Sequence, residues 1–134
     1  MKEGRINMEK LEKYAKENNI PIMQKDGILY LCNYIKENNI KNILEIGAAI
    51  GYSSIMMASI SSDIKVTTIE KDKERYDIAV ANINDYNLNN QITIHYGDAC
   101  DFNFEEKFDL IFIDANSLKI NDITTTHGDI TEIL

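Results

Sequence analysis

The stretch Asn42-Ile43-Leu44-Glu45-Ile46-Gly47-Ala48-Ala49-Ile50-Gly51-Tyr52-Ser53-Ser54 decides how the rest of the chain is read. Three apolar residues, Ile43, Leu44 and Ile46, run into a glycine. A second glycine follows four positions later, then an amphipathic run of Ile55, Met56, Met57, Ala58 and Ile60. That order predicts a short buried strand, a tight turn and a helix start. Glycine suits a point where the backbone turns sharply and a ligand comes close, because it has no Cβ to clash. The N–H groups of the first helical turn have no partner within the helix and face back towards the turn, which suits a polar or anionic ligand.

Upstream of this stretch, residues 8–17 predict a polar helix with a narrow apolar stripe at Leu11, Tyr14 and Ala15, ended by Asn18-Asn19-Ile20-Pro21. Ile22 to Lys25 form a connector. A second helix follows, with Asp26 as its expected N-cap, Ile28, Leu31, Cys32 and Ile35 at helical spacing, and Asn38-Asn39 as its stop. Downstream, Lys65-Val66-Thr67-Thr68-Ile69-Glu70 predicts a second strand rich in β-branched residues. Asp72 is the expected cap of a third helix whose inner face is Tyr76, Ala79, Val80 and Ile83. Gln91 to Tyr96 predict a third strand ending at Gly97-Asp98, and Phe108 to Asp114 a fourth, the most continuously apolar of all. Strands alternating with helices at this spacing predict parallel β-α-β units in a sheet covered on both faces.

With 134 residues, 44% hydrophobic and 27% charged, the chain has the size and composition of one globular domain with a real core. The net charge of −8 weighs against general nucleic-acid binding, which depends on neutralising phosphates. Lys2, Arg5, Lys10, Lys13 and Lys16 do gather positive charge near the N-terminus, but interleaved glutamates make a solvated helix face the simpler meaning. No apolar run approaches the ~20 residues needed to cross a membrane, and the charged start is unlike a signal peptide, so a cytoplasmic protein without membrane partners is expected. Cys32 and Cys100, far apart and without a neighbouring histidine, are expected to be reduced and buried.

Three acidic residues share one placement: Glu70 closes the second predicted strand, Asp98 follows the third, and Asp114 closes the fourth. In an open parallel sheet the carboxyl ends of the strands line one edge, where ligands bind. Glu70, nineteen residues beyond Gly51, is placed to accept hydrogen bonds from both hydroxyls of a ribose. The glycine spacing is Gly-x-x-x-Gly and not the Gly-x-Gly-x-x-Gly of dinucleotide-binding turns, so a nucleoside-type ligand other than NAD is expected and an oxidoreductase is the weaker reading.

Leu44 to Ser53, Thr68-Ile69-Glu70, Tyr96-Gly97-Asp98-Ala99 and Phe108 to Ala115 together resemble the S-adenosylmethionine-dependent O-methyltransferases, the metal-dependent family of catechol and caffeoyl-CoA methyltransferases. Tyr14-Ala15 and Ile20 to Gly27 are most similar to the bacterial branch that methylates 5-hydroxyuridine at the tRNA wobble position. The resemblance implies a Rossmann-like class I methyltransferase sheet in the order 3-2-1-4. It also implies S-adenosylmethionine as methyl donor and a divalent cation such as Mg. Met23, Gly47, Ser53, Glu70, Gly97, Asp98 and Asp114 would bind the cofactor, and Asp114 would be both the catalytic residue and a metal ligand. The acceptor would be hydroxyuridine in tRNA, or alternatively a small catechol or acyl-CoA phenol.

The resemblance covers about residues 8–115 and implies that 1–115 are the N-terminal part of a methyltransferase domain, with 116–134 a divergent tail. Asn116 and Ser117 stand where the family has an alanine and a lysine, and the family's later Asp-Asn pair of metal ligands has no counterpart. The expectation is a sheet truncated after its fourth strand, with a non-catalytic cofactor-binding fragment as a further alternative. An apolar fourth strand left as an edge would favour association, so a homodimer is among the expected partners.

Overall fold

The structure is a computed structural model and describes residues 7–113. Helices α1 (Glu9–Glu17) and α2 (Lys25–Glu37) precede strand β1 (Asn42–Ile46). Helix α3 (Tyr52–Ala58), strand β2 (Lys65–Glu70), helix α4 (Lys73–Asp85), strand β3 (Ile92–Tyr96), a short 3-10 turn (Ala99–Asp101) and strand β4 (Leu110–Ile113) follow. The four strands form one parallel sheet in the order β3-β2-β1-β4, as the resemblance implied.

That order follows from the handedness of the connections. α3 and α4 carry the chain stepwise from β1 to β2 to β3, and right-handed crossovers in one direction must lie on one face. The chain then reverses from β3 to the far side of β1, so its next connection has to cross the opposite face. Two cores result. Ile43, Val66, Ile92 and Leu110 pack with Leu11, Ile28, Leu31, Ile35, Ile55, Met57 and Ile83 of the helices. On the other face Leu44, Ile46, Ile69 and Ile111 meet Ala99 and Phe108, with Phe102 and Phe104 against them. The sheet is therefore covered on both faces, but among the described residues helices lie on one face only, and an aromatic connection serves on the other.

Among the described residues, asparagine ends three of the four α-helices. Asn19, Asn39 and Asn87 take left-handed φ values of 54, 53 and 57° just past α1, α2 and α4. The next N–H, of Ile20, Ile40 and Leu88, returns to the carbonyl of Ala15, Ile35 and Ile83 at 2.8, 3.1 and 3.1 Å. This is the Schellman arrangement, in which an apolar residue folds back on the last turn, and asparagine tolerates its left-handed position.

Several local expectations shift. Helix α2 starts at Lys25 with Gln24 at its cap position, so Asp26 lies within the first turn, where its charge still favours the helix dipole. Tyr14 and Val80 are each 39% exposed. α1 is anchored through Met8, Leu11 and Ala15 instead, and α4, which lies over the edge of the sheet, buries only the narrow line of Ala79 and Ile83. Asp72 does cap α4, accepting from the Arg75 N–H at 3.1 Å. Cys32 is buried as expected, whereas Cys100 is exposed because it belongs to the 3-10 turn at the rim.

β4 begins at Leu110 because Asp109 turns aside to hold β1. Its carboxylate accepts the N–H groups of Lys41 and Asn42 at 2.9 and 3.0 Å, while its own N–H donates to the Asn42 carbonyl at 2.7 Å. Asp109→Ala is expected to cost about 2 kcal/mol, the scale of losing charge-assisted hydrogen bonds. Urea unfolding of the variant against the native chain measures it.

Candidate functional site

The reversal between β1 and β4 opens a crevice at their carboxyl ends, the usual ligand position in such sheets. A cavity of about 230 Å³ lies there. Gly47, Ala48, Ala49, Tyr52 and Ser53 form one wall, Pro21, Ile22 and Met23 another, and Phe112 and Ile113 of β4 a third. A smaller recess of about 20 Å³ adjoins it along the rim, bounded by Gly47, Glu70, Lys71, Gly97, Asp98 and Ala99. Gly47 borders both.

The turn after β1 is held open by β2. Gly47, with φ of 97°, and Ala48 both donate N–H bonds to the Ile69 carbonyl at 2.8 and 3.2 Å. Ala49 stands at φ 52°, a left-handed value that costs a residue with a Cβ, and its N–H donates to Glu70 Oε1 at 2.7 Å. The other carboxylate oxygen, Oε2, accepts the Asp72 N–H at 3.0 Å. Glu70 is only 6% exposed, so both bonds form in a largely dry setting. From the other side, Asn82 Nδ2 of α4 donates to the Ile50 carbonyl at 2.8 Å. The N–H groups of residues 47–49 are thus spent on β2 and that of Gly51 on the Ala48 carbonyl at 2.9 Å, while the first main-chain bond of α3 is Ile55 N–H to Gly51 at 3.0 Å.

Gly97 N–H donates to the Glu70 carbonyl at 3.0 Å and brings the end of β3 beside this carboxylate. Its φ of 148° disfavours a side chain, and a Cβ there would meet the Phe102 ring at 3.0 Å. Asp98 caps the 3-10 turn by accepting the Cys100 N–H at 2.9 Å. On the cavity side, Met23 is partly buried, and Gly27 leaves room for its methyl group, which a Cβ would approach to 3.3 Å.

Of the residues singled out by sequence, Met23, Gly47 and Ser53 line the larger cavity, and Gly47, Glu70, Gly97 and Asp98 line the smaller recess. Asp114 lies outside the described residues. Among the described residues no group of three or more His, Cys, Asp or Glu side chains could hold a metal ion. No described helix is long and apolar enough to cross a membrane.

One residue of the site was missed. Glu45, on the helix-facing side of β1, is fully buried and receives the hydroxyls of Ser53, Ser54 and Thr68, the last at 2.7 Å. Burial pushes its carboxyl up, the three hydroxyl bonds work against the rise, and the charge of Glu70 adds to it. Glu45 fixes the hydroxyl of Ser53 at the cavity wall. A carboxylate in an apolar strand, followed by two adjacent serines, was the available signal.

With its folded pKa raised, Glu45 favours the folded state below the ordinary carboxylate pKa, and that contribution is lost as pH rises through the folded value. The stability of Glu45→Gln relative to the native chain is therefore expected to rise with pH across that window. The scale is about 1.4 kcal/mol for each tenfold change in the carboxyl's proton affinity on folding, read by urea unfolding at a series of pH values.

The sequence model described as O-methyltransferase matches residues 2–124. The catechol O-methyltransferase of Niastella koreensis is 40% identical over 83 residues, covering 57% of this chain and 38% of that protein. A Staphylococcus aureus crystal structure, assigned as a caffeoyl-CoA O-methyltransferase, superposes with a TM-score of 0.87 at 37% identity, covering 94% of this chain and 62% of that one. A Bacillus cereus O-methyltransferase crystallised with SAH gives a TM-score of 0.71 at 33% identity, covering 80% and 53% of the two chains. The chain spans about half the length or less of the curated relatives it matches.

Proposed function

Since this chain belongs to the O-methyltransferase family and shares its Rossmann-like fold, we propose that it binds S-adenosylmethionine at the β1–β4 crevice and serves methyl transfer to a hydroxyl oxygen. The observation that carries this reading is the Glu70 carboxylate. A carboxylate offers about four acceptor positions, and Glu70 uses one on each oxygen for Ala49 and Asp72. The remaining two suit the paired hydroxyls of a ribose. Gly97 and Asp98 would then border the adenine, and Gly47, Ser53 and Met23 the methionine portion. Ile22, Met23 and Phe112 give the cavity the apolar walls that suit a thioether or sulfonium.

When bound, the cofactor supplies a methyl group on a positively charged sulfur, which passes in line to an acceptor oxygen. The residues of this chain hold the nucleoside at the rim and exclude water from the cavity wall. Asp114 is the proposed catalytic residue and the proposed ligand of a divalent cation such as Mg. The described residues hold no matching ligand set, so no step is assigned to the cation.

For the acceptor, the resemblance over residues 14–27 favours 5-hydroxyuridine of tRNA, while the names of relatives favour a catechol or acyl-CoA phenol. Both present an acidic hydroxyl beside a second oxygen. Self-association through the edge of β4, which pairs with β1 alone among the described residues, belongs to the same reading.

Calorimetric titration with S-adenosylhomocysteine tests the site. The native chain is expected to bind, and Glu70→Ala to bind at least about 100-fold more weakly, the scale of losing two hydrogen bonds to a charged acceptor, with unchanged far-ultraviolet dichroism. Equal binding by both overturns the site. Incubation with methyl-labelled cofactor and either hydroxyuridine-containing tRNA or catechol is expected to label the tRNA. Label in catechol supports the small-molecule reading, and cofactor binding with no labelling supports a non-catalytic one.

A further inference from the structure

Two of the three walls of the 230 Å³ cavity come from distant parts of the chain: the glycine turn with Tyr52 and Ser53, and the α1–α2 connector with Pro21, Ile22 and Met23. Tyr52 is 2% exposed, and a phenol so deeply placed requires an acceptor. That acceptor comes from neither its own helix nor the turn. It is Glu12 Oε2 in the middle of α1, at 2.6 Å. Burial, reinforced by the Glu12 carboxylate, pushes the Tyr52 phenol well above its usual range, so the hydroxyl remains the donor.

α1 passes through its Schellman turn straight into the connector: Ile20 bonds back to Ala15, and Pro21 to Met23 follow as cavity wall. Helix and connector thus form one short unit, with its apolar residues Met8, Leu11 and Ala15 in the core and one charged side chain reaching the opposite wall.

We propose that Glu12 is a positioning residue for the ligand site: by holding the Tyr52 hydroxyl, it sets the separation of the two walls and hence the affinity for the adenosyl ligand. This rests on the methyltransferase reading. The chain just before α1 has a second polar attachment, Tyr86 Oη to the Asn7 carbonyl at 2.9 Å, which involves no residue of the cavity. It provides a control.

The test is titration of the full chain and its variants with S-adenosylhomocysteine. Tyr52→Phe and Glu12→Ala are each expected to weaken binding roughly tenfold, the scale of one charge-assisted hydrogen bond, and the double variant no further. Glu12→Gln, whose amide oxygen still accepts, is expected to stay within about twofold, and Tyr86→Phe to bind as the native chain does. Native-like binding by Tyr52→Phe and Glu12→Ala overturns the inference alone. So does additivity in the double variant, a Glu12→Gln loss as large as that of Glu12→Ala, or an equal loss in Tyr86→Phe. Absence of binding by the native chain removes the methyltransferase reading and the inference with it.

Discussion

Two strands and the loops beyond them are fastened at one carboxylate. Glu70 ends β2, and its oxygens take one N–H from the turn after β1 and one from the start of α4, while the carbonyl beside its own side chain takes the N–H of Gly97 after β3. Three neighbouring strand ends are thereby brought to a common level. The strained Ala49, at φ 52°, persists because this bond and the Asn82 bond to Ile50 fix the turn from both sides. Without a carboxylate at position 70 the turn after β1 and the start of α4 would lose their common anchor, and only the main-chain bond to Gly97 would remain.

The second constraint is topological. Helical crossovers in one direction fill one face of the sheet, and the return from β3 to β4 must fill the other. The crevice between β1 and β4 is a consequence of that reversal, and it needs no special sequence beyond small residues at its mouth. What the sequence adds is polarity under the floor. Glu45 takes a position that alternation assigns to the helix-facing core, and it is tolerated because three hydroxyls from α3 and β2 satisfy it. The group that orients Ser53 is thus also a stored electrostatic cost.

The described elements set a buried carboxylate, a glycine turn and an apolar cavity along one rim of the sheet. The Glu70 carboxylate closes β2, the apolar cavity lies beyond β1, and Asp114, the proposed catalytic residue, is next in the sequence after Ile113. The wall contributed by Pro21 to Met23 comes from before the first strand, so a connector remote from the glycine turn in sequence lines the same cavity.

Local chemistry alone determined the strands β1 and β2, the glycine turn, the Asp72 cap and the asparagine helix ends, because each depends on residues within a few positions of one another. The placement of Glu70 and Gly97 on one rim was also legible, since parallel strands put all carboxyl ends on one edge. Tertiary structure decided the rest. Val80 and Tyr14 satisfy helical periodicity yet stay exposed, because periodicity gives a face but not the width of what covers it. Cys32 and Cys100 look alike in the sequence and part company through packing against different elements. The bonds of Glu45 to Thr68 and of Tyr52 to Glu12 span 23 and 40 positions. No local pattern specifies such pairs. They exist because folding brings a donor without a local partner to the nearest buried acceptor.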